Sequence, residues 1–274
     1  MIKLNKIYNE DCLAFLSSIQ DKVFDIVLTS PPYNTSRDCD DITTMKNNWR
    51  PSGRYLKIDG WRDNKTKEEY ISWCIDIFNK LDSVLKENGV IIWNVSYGGD
   101  VSSNSENLDT MWLCIADIIR NTGFTVADRI VWKKSNSFPN NMSPNKLNRI
   151  VEDIFVFVRK LEIRTFHSNK IIVGERPTGQ KMYSPICNYI EAPNNSENCS
   201  INKATFSEEL CIKLFNIYAP KNAVVYDPFM GTGTTAIACL RKGLNYVGTE
   251  ISKEQIEWSE NRIQNFQRDL RWWI

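Results

Sequence analysis

The sequence predicts an α/β fold, a mostly parallel sheet with helices packed on both of its faces. Three observations lead there. Short apolar runs alternate along the chain with longer segments of helical periodicity. Two of those runs lead into loops of distinctive chemistry, Thr29-Ser30-Pro31-Pro32-Tyr33-Asn34 and Asp227-Pro228-Phe229-Met230-Gly231-Thr232-Gly233. The length, 274 residues, suits one large domain of this class or two modest ones, and it buries a full core without disulfide staples.

Taken in order, the apolar runs bounded by polar or turn residues predict strands over 24–29, 90–95, 124–133, 153–159, 223–226 and 246–249. Between them, helices are predicted over 67–86, 106–120, 207–218, 234–241 and 253–266. The clearest is the first, where Tyr70, Ile71, Cys74, Ile77, Phe78, Leu81, Val84 and Leu85 keep three- and four-residue spacing and Asn88-Gly89 is expected to terminate it. Two segments break the alternation. Residues 35–64 are polar and rich in Asp, Asn, Arg and Trp; residues 161–202 are weakly patterned, with Pro177, Pro185, Pro193 and an Asn/Ser cluster near 194–200. Segments of that length inside one domain are expected to be functional or mobile.

Composition narrows the chemistry. The hydrophobic fraction of 42% and charged fraction of 24% are those of an ordinary globular protein. No run of 18 apolar residues occurs, so no membrane partner is expected, and the first eleven residues carry no signal-peptide pattern, so the expected location is cytoplasmic. The eight cysteines form no Cys-x-x-Cys pair and read as buried free thiols. His167 is the only histidine, which argues against His-based triads and excludes a His-rich metal site; no metal is expected. Net charge is +1, yet residues 132–181 hold ten Lys/Arg against four Asp/Glu. Such a stretch reads either as a polyanion-facing surface or as an ordinary solvated face.

The two loops carry the specific signals. Ser30-Pro31-Pro32-Tyr33 directly after a buried strand is either a rigid turn or a device that fixes a hydroxyl, a carbonyl and an aromatic ring around a flat substrate. The second loop runs from a strand through Gly231-x-Gly233 into a helix, where glycines let a ligand approach the backbone and the helix N-terminus offers free N–H groups. Glu250 follows the next strand, placed to bind the hydroxyls of a ribose. Gly231-x-Gly233-x-x-Ala236 also satisfies the dinucleotide fingerprint, so an NAD-dependent oxidoreductase is a rival reading. Asp227, just before the glycines, favours a cationic or ammonium-bearing ligand over a pyrophosphate, and no Gly-Lys-Ser/Thr follows to make a Walker loop.

Together, Asp227-Pro-Phe-x-Gly-x-Gly-Thr-Thr and Thr29-Ser-Pro-Pro-Tyr-Asn resemble the cofactor and catalytic loops of S-adenosylmethionine-dependent DNA amino-methyltransferases. The catalytic loop comes first, the permuted order of the beta group, and the resemblance covers most of the chain. It implies a Rossmann-like sheet: a catalytic half over 1–160, a target-recognition region over 161–202 and a cofactor-binding half over 203–274. It implies S-adenosylmethionine as cofactor, S-adenosylhomocysteine as product and double-stranded DNA as partner. A cognate restriction endonuclease and a homodimer are compatible with it.

The same resemblance assigns roles. Ser30 and the Pro31 carbonyl would accept hydrogen bonds from the target amino group, with Pro32 rigidifying the loop and Tyr33 stacking on a flipped base. Cofactor contacts fall to Asp11, beside the adenine amino group, and to Cys12, Thr29, Asp227, Phe229, Gly231, Gly233, Thr234, Thr235 and Glu250. Lys203, Thr205 and Phe206 match the element that helps bind the methionine end, although family members often carry His-Pro where this chain has Asn202-Lys203. Asn34, Lys133, Lys134 and Arg149 would face the DNA; Trp132–Asn136 and Arg149–Glu152 resemble late elements of the catalytic half. Ser-Pro-Pro-Tyr goes more often with cytosine N4 and Asp-Pro-Pro-Tyr with adenine N6, so Ser30 favours cytosine. Carbon-5 methylation is disfavoured, because no cysteine here follows a proline.

Overall fold

A computed structural model describes residues 2–34, 65–95, 110–136, 147–148, 150–194 and 207–271. In chain order the elements are β1 (Lys6–Tyr8), α1 (Cys12–Ser17), β2 (Phe24–Thr29), α2 (Lys67–Val84), β3 (Leu85–Val95), α3 (Thr110–Asn121), β4 (Phe124–Lys134), β5 (Val151–Arg159), β6 (Ile172–Glu175), β7 (Lys181–Tyr183), β8 (Tyr189–Ala192), α4 (Glu208–Tyr218), β9 (Val224–Asp227), α5 (Thr234–Lys242), β10 (Asn245–Thr249) and α6 (Lys253–Arg271). Eight strands form one sheet in the order β1-β10-β9-β2-β3-β5-β4-β8. Within this sheet, only the pairings of β5 with β3 and with β4 are antiparallel.

The central strands are buried on both sides, which is why they read as near-continuous apolar runs. Ile26, Leu28, Ile92, Ile154 and Val156 face α4, α5 and α6. Val27, Ile91, Trp93, Phe155 and Phe157 face α1, α2 and α3. On that second face Phe78 of α2 meets Trp93, Phe124 and Phe157 edge-on, with ring centroids 5.2, 5.6 and 4.8 Å away. No helix among the described residues is long and apolar enough to cross a membrane.

Two local expectations change. The α2 helix stops at Val84, not at Asn88-Gly89, because Leu85 is already extended (φ −79°, ψ 131°). The Arg159 guanidinium holds the chain at this end, donating to Asp82 O in the last turn (2.8 Å) and to Leu85 O (2.7 Å) and Lys86 O (2.9 Å) just beyond it. The described part of 161–202 is also more regular than its pattern suggests. β6 and β7 pair as a hairpin around the turn Arg176-Pro177-Thr178-Gly179, with Gly179 at φ +78°. β8 joins the main sheet as a parallel edge strand beside β4.

The order of connections decides where a ligand can sit. The crossover from β9 through α5 moves to β10 on one side, and that from β2 through α2 moves to β3 on the other. The adjacent pair β9 and β2 is therefore a topological switch point, where the crevice outside the strand carboxyl ends is left open. Phe78→Ala opens a cavity beneath β3, β4 and β5. We expect a loss of about 3–5 kcal/mol of stability, read as a lower urea unfolding midpoint.

Candidate active site

Both loops singled out in the sequence emerge at that crevice. Thr29 ends β2, and the loop after it is held from below: the buried Tyr70 of α2 donates its hydroxyl to the Pro32 carbonyl at 2.7 Å. With φ fixed at two prolines and no N–H on either, the Ser30–Tyr33 backbone has little freedom. The Ser30 Oγ lies 2.5 Å from the Tyr33 hydroxyl. Behind them Asn94, near the end of β3, donates from Nδ2 to the Tyr33 hydroxyl (2.9 Å) and to Glu152 Oε2 (2.8 Å). The Lys134 ammonium closes the row on Glu152 Oε1. Burial, then the Glu152 charge, raises the Tyr33 pKa well above that of an ordinary phenol, so the hydroxyl keeps its proton. Tyr33 thus turns its hydroxyl inward while its ring is half-buried.

Asn34 takes the left-handed conformation (φ +51°), which asparagine tolerates better than most residues. Its Nδ2 donates to Lys65 O and its Oδ1 accepts from Lys65 N, each at 2.8 Å. The amide is therefore engaged in joining the two ends of segment 35–64 rather than turned toward DNA.

The glycine loop is shaped by close packing. Gly231 and Gly233 have φ of +53° and +84°. A Cβ on Gly233 would lie 2.8 Å from the Ser259 Cβ of α6. Glu250, buried after β10, accepts from Gly231 N through Oε2 and from Ser252 N through Oε1, each at 2.9 Å. Its pKa is raised by burial. Each of its oxygens keeps acceptor capacity, which fits a ribose diol. The Asn9 amide donates to the carbonyls of Glu250 (3.0 Å) and Ile251 (2.9 Å), bringing the turn after β1 alongside. In that turn Asp11 caps α1, its Oδ1 accepting from Leu13 N (2.9 Å) and Ala14 N (3.1 Å). The buried Cys12 thiol is pushed up to about 12, mainly by burial, and so is no nucleophile. Phe229 packs 5.4 Å from the Trp73 ring, and Thr234 Oγ1 accepts from Arg262 at 3.2 Å.

Asp227 ties the two loops together. Its Oδ1 accepts from Thr29 Oγ1 (2.7 Å) and Phe229 N (3.0 Å), and its Oδ2 from Thr235 Oγ1 (2.6 Å). Only 2% of the residue is exposed. The sequence reading gave this carboxylate to a cationic ligand; its three bonds instead go to β2, to its own loop and to α5. Of the DNA-facing candidates, Lys133 pairs with Glu191 across the β4–β8 edge at 3.1 Å, and Lys134 points inward to Glu152. Lys203, Thr205, Phe206 and Arg149 lie outside the described residues. Asn94 and Tyr70 were not anticipated: the first is a lone polar residue in an apolar strand, the second reads as helical core. No group of three His, Cys, Asp or Glu suited to a metal occurs among the described residues.

Burial raises the Asp227 pKa from 3.8 to about 6. The native protein therefore keeps a proton there that the unfolded chain has released, and stability falls as pH rises through that window. Asp227→Asn lacks this ionisation. Between pH 4 and pH 7 the wild type is expected to lose about 2 kcal/mol relative to the variant, measured by urea unfolding at both values.

Comparison with known proteins agrees with this arrangement. A family model described as DNA methylase (N6_N4_Mtase) matches residues 24–261. The Type II methyltransferase M.BglII of Bacillus subtilis is 27% identical over 93% of this chain and 67% of its own length. M.HinfI of Haemophilus influenzae, also a Type II methyltransferase, is 25% identical over 95% of this chain and 68% of its own. The cytosine-N4-specific PvuII DNA methyltransferase shares the fold with a TM-score of 0.68, at 18% identity over 93% of this chain and 84% of that one. The M1.HpyAVI–SAM complex does so with a TM-score of 0.55, at 21% identity over 94% and 97%. Since the family match spans well over half the sequence, and both of its signature loops meet at one crevice, the chain belongs to the DNA methylase family, the amino-methyltransferases of adenine N6 and cytosine N4.

Proposed function

We propose that this protein transfers a methyl group from S-adenosylmethionine to the exocyclic N4 of cytosine, in a base flipped out of double-stranded DNA. One observation carries the reading: through Asp227, the loop that would hold the nucleophile and the loop that would hold the methyl donor are hydrogen-bonded to each other at adjacent strand ends. A donor and an acceptor held there lie side by side, and in-line transfer depends above all on holding them about 3–3.5 Å apart.

S-adenosylmethionine supplies an electrophilic methyl on a sulfonium. Ser30 and the Pro31 carbonyl accept hydrogen bonds from the amino protons of the base, drawing its delocalised nitrogen toward a tetrahedral, nucleophilic shape. Flipping costs a few kcal/mol, and stacking on the half-exposed ring of Tyr33 returns about 1–3 kcal/mol of it. Glu250 accepts from the ribose hydroxyls, and Asp11 from the adenine amino group. Ser30 carries the choice of cytosine, supported by the N4 specificity of the PvuII enzyme that shares this fold. The Type II names of M.BglII and M.HinfI support a role in restriction-modification.

The direct test incubates purified protein with labelled S-adenosylmethionine and unmodified duplex DNA, then identifies methylated nucleosides by mass spectrometry. N4-methylcytosine is expected; N6-methyladenine would remove Ser30 as the determinant of the base. Two variants separate the roles. Ser30→Ala is expected to abolish most turnover while leaving calorimetric cofactor affinity intact. Glu250→Ala should weaken that affinity roughly tenfold or more, through lost charge-assisted hydrogen bonds. Unchanged affinity in the second variant would sink the ribose assignment.

A further inference from the structure

The row Ser30–Tyr33–Asn94–Glu152–Lys134 contains more than a catalytic hydroxyl needs. For Ser30 to accept from an amino group, its lone pairs must face the substrate and its own proton must go elsewhere. A hydroxyl that aimed its proton at the substrate nitrogen would occupy the lone pair required for attack. Something must therefore set the direction of every proton in the row.

The only formal negative charge in the row is Glu152, 7% exposed and two residues along the antiparallel strand β5 from Ile154, the register partner of Asn94. Asn94 turns its Nδ2 toward Glu152 and Tyr33, and its buried Oδ1 is left without a hydrogen-bond partner among the described residues. An orphaned buried acceptor is unfavourable. The opposite amide orientation would set Oδ1 against the carboxylate, which is worse. The carboxylate therefore dictates the amide. The Tyr33 hydroxyl donates its own proton to Glu152, which leaves its oxygen to accept from Asn94 Nδ2 at 2.9 Å and from Ser30 across the 2.5 Å contact, so that the Ser30 lone pairs face outward. Lys134, on β4, pairs with the buried carboxylate and holds it in place.

We propose that Glu152 is a positioning residue: its carboxylate fixes the proton order from Asn94 through Tyr33 so that Ser30 presents an acceptor, not a donor, to the amino group being methylated. This rests on the reading of Ser30 given above. It assigns Glu152 no contact with substrate or cofactor.

The test is steady-state methyl transfer to saturating DNA, alongside calorimetric cofactor binding and a double-mutant cycle. Glu152→Gln is nearly isosteric but removes the charge. It is expected to lower kcat roughly ten- to hundredfold, with the cofactor Kd and the KM for DNA within about twofold of wild type. In a Tyr33→Phe background, where Ser30 keeps only the long 3.5 Å contact from Asn94 Nδ2, the same substitution should change kcat by less than about twofold. Should Glu152→Gln fail to fold because Lys134 is left unpaired, Glu152→Gln/Lys134→Met removes both charges together and is expected to show the same loss of kcat. Wild-type kcat in either folded variant overturns the proposal, as does an undiminished effect in the Tyr33→Phe background. Absence of methyl transfer by the wild type would instead count against the function proposed above, so the two failures are distinct.

Discussion

A single buried carboxylate organises this protein. Asp227 ends β9, and all of its hydrogen bonds point into the molecule, to Thr29 at the end of β2, to the backbone of Phe229 and to Thr235 in the first turn of α5. Thr29 and Asp227 are 198 residues apart in sequence. Burying an acidic group is costly, and here the cost is offset by three donors whose positions are thereby fixed. The loop carrying Ser30 and the loop carrying Gly231 and Gly233 cannot shift independently while Asp227 holds both.

The same principle extends along the carboxyl edge of the sheet. Because all the main strands except β5 run in one direction, the ends of β1, β10, β9, β2 and β3 gather there, joined by the start of β5. Asn9, Glu250, Asp227, Ser30, Asn94 and Glu152 thus come from six different strand ends. Each is fixed by a neighbour: Asn9 by the carbonyls after β10, Glu250 by Gly231, Asn94 by Glu152. Rigidity at this edge comes from hydrogen bonds between strand ends more than from any one loop.

Much of this was legible beforehand. β2, β9 and β10 announce themselves as apolar runs because both faces are covered, and Pro-Pro and Gly-x-Gly mark the loops because few residues tolerate those backbones. What escaped has physical reasons. β1 has three residues, too few for a pattern, and Ile172 and Val173 of β6 are 52% and 60% exposed, so burial leaves no signature there. The end of α2 is set by Arg159, a partner some seventy residues away. Asn94 and Glu152 acquire meaning only through the antiparallel pairing of β3 with β5, and no spacing along the chain encodes that.

The clamp between Asn34 and Lys65 bears on how such a protein can change. Positions 35–64 depart from and return to a neck closed by two backbone-directed hydrogen bonds, directly after the Ser30–Tyr33 loop. Closure cost grows only logarithmically with length, about 0.6 kcal/mol for each doubling. Insertions, deletions or wholesale replacement between those two residues would leave the neck, and so the geometry of Ser30, nearly untouched. The length of chain between Asn34 and Lys65 is thus decoupled from the geometry of the Ser30–Tyr33 loop.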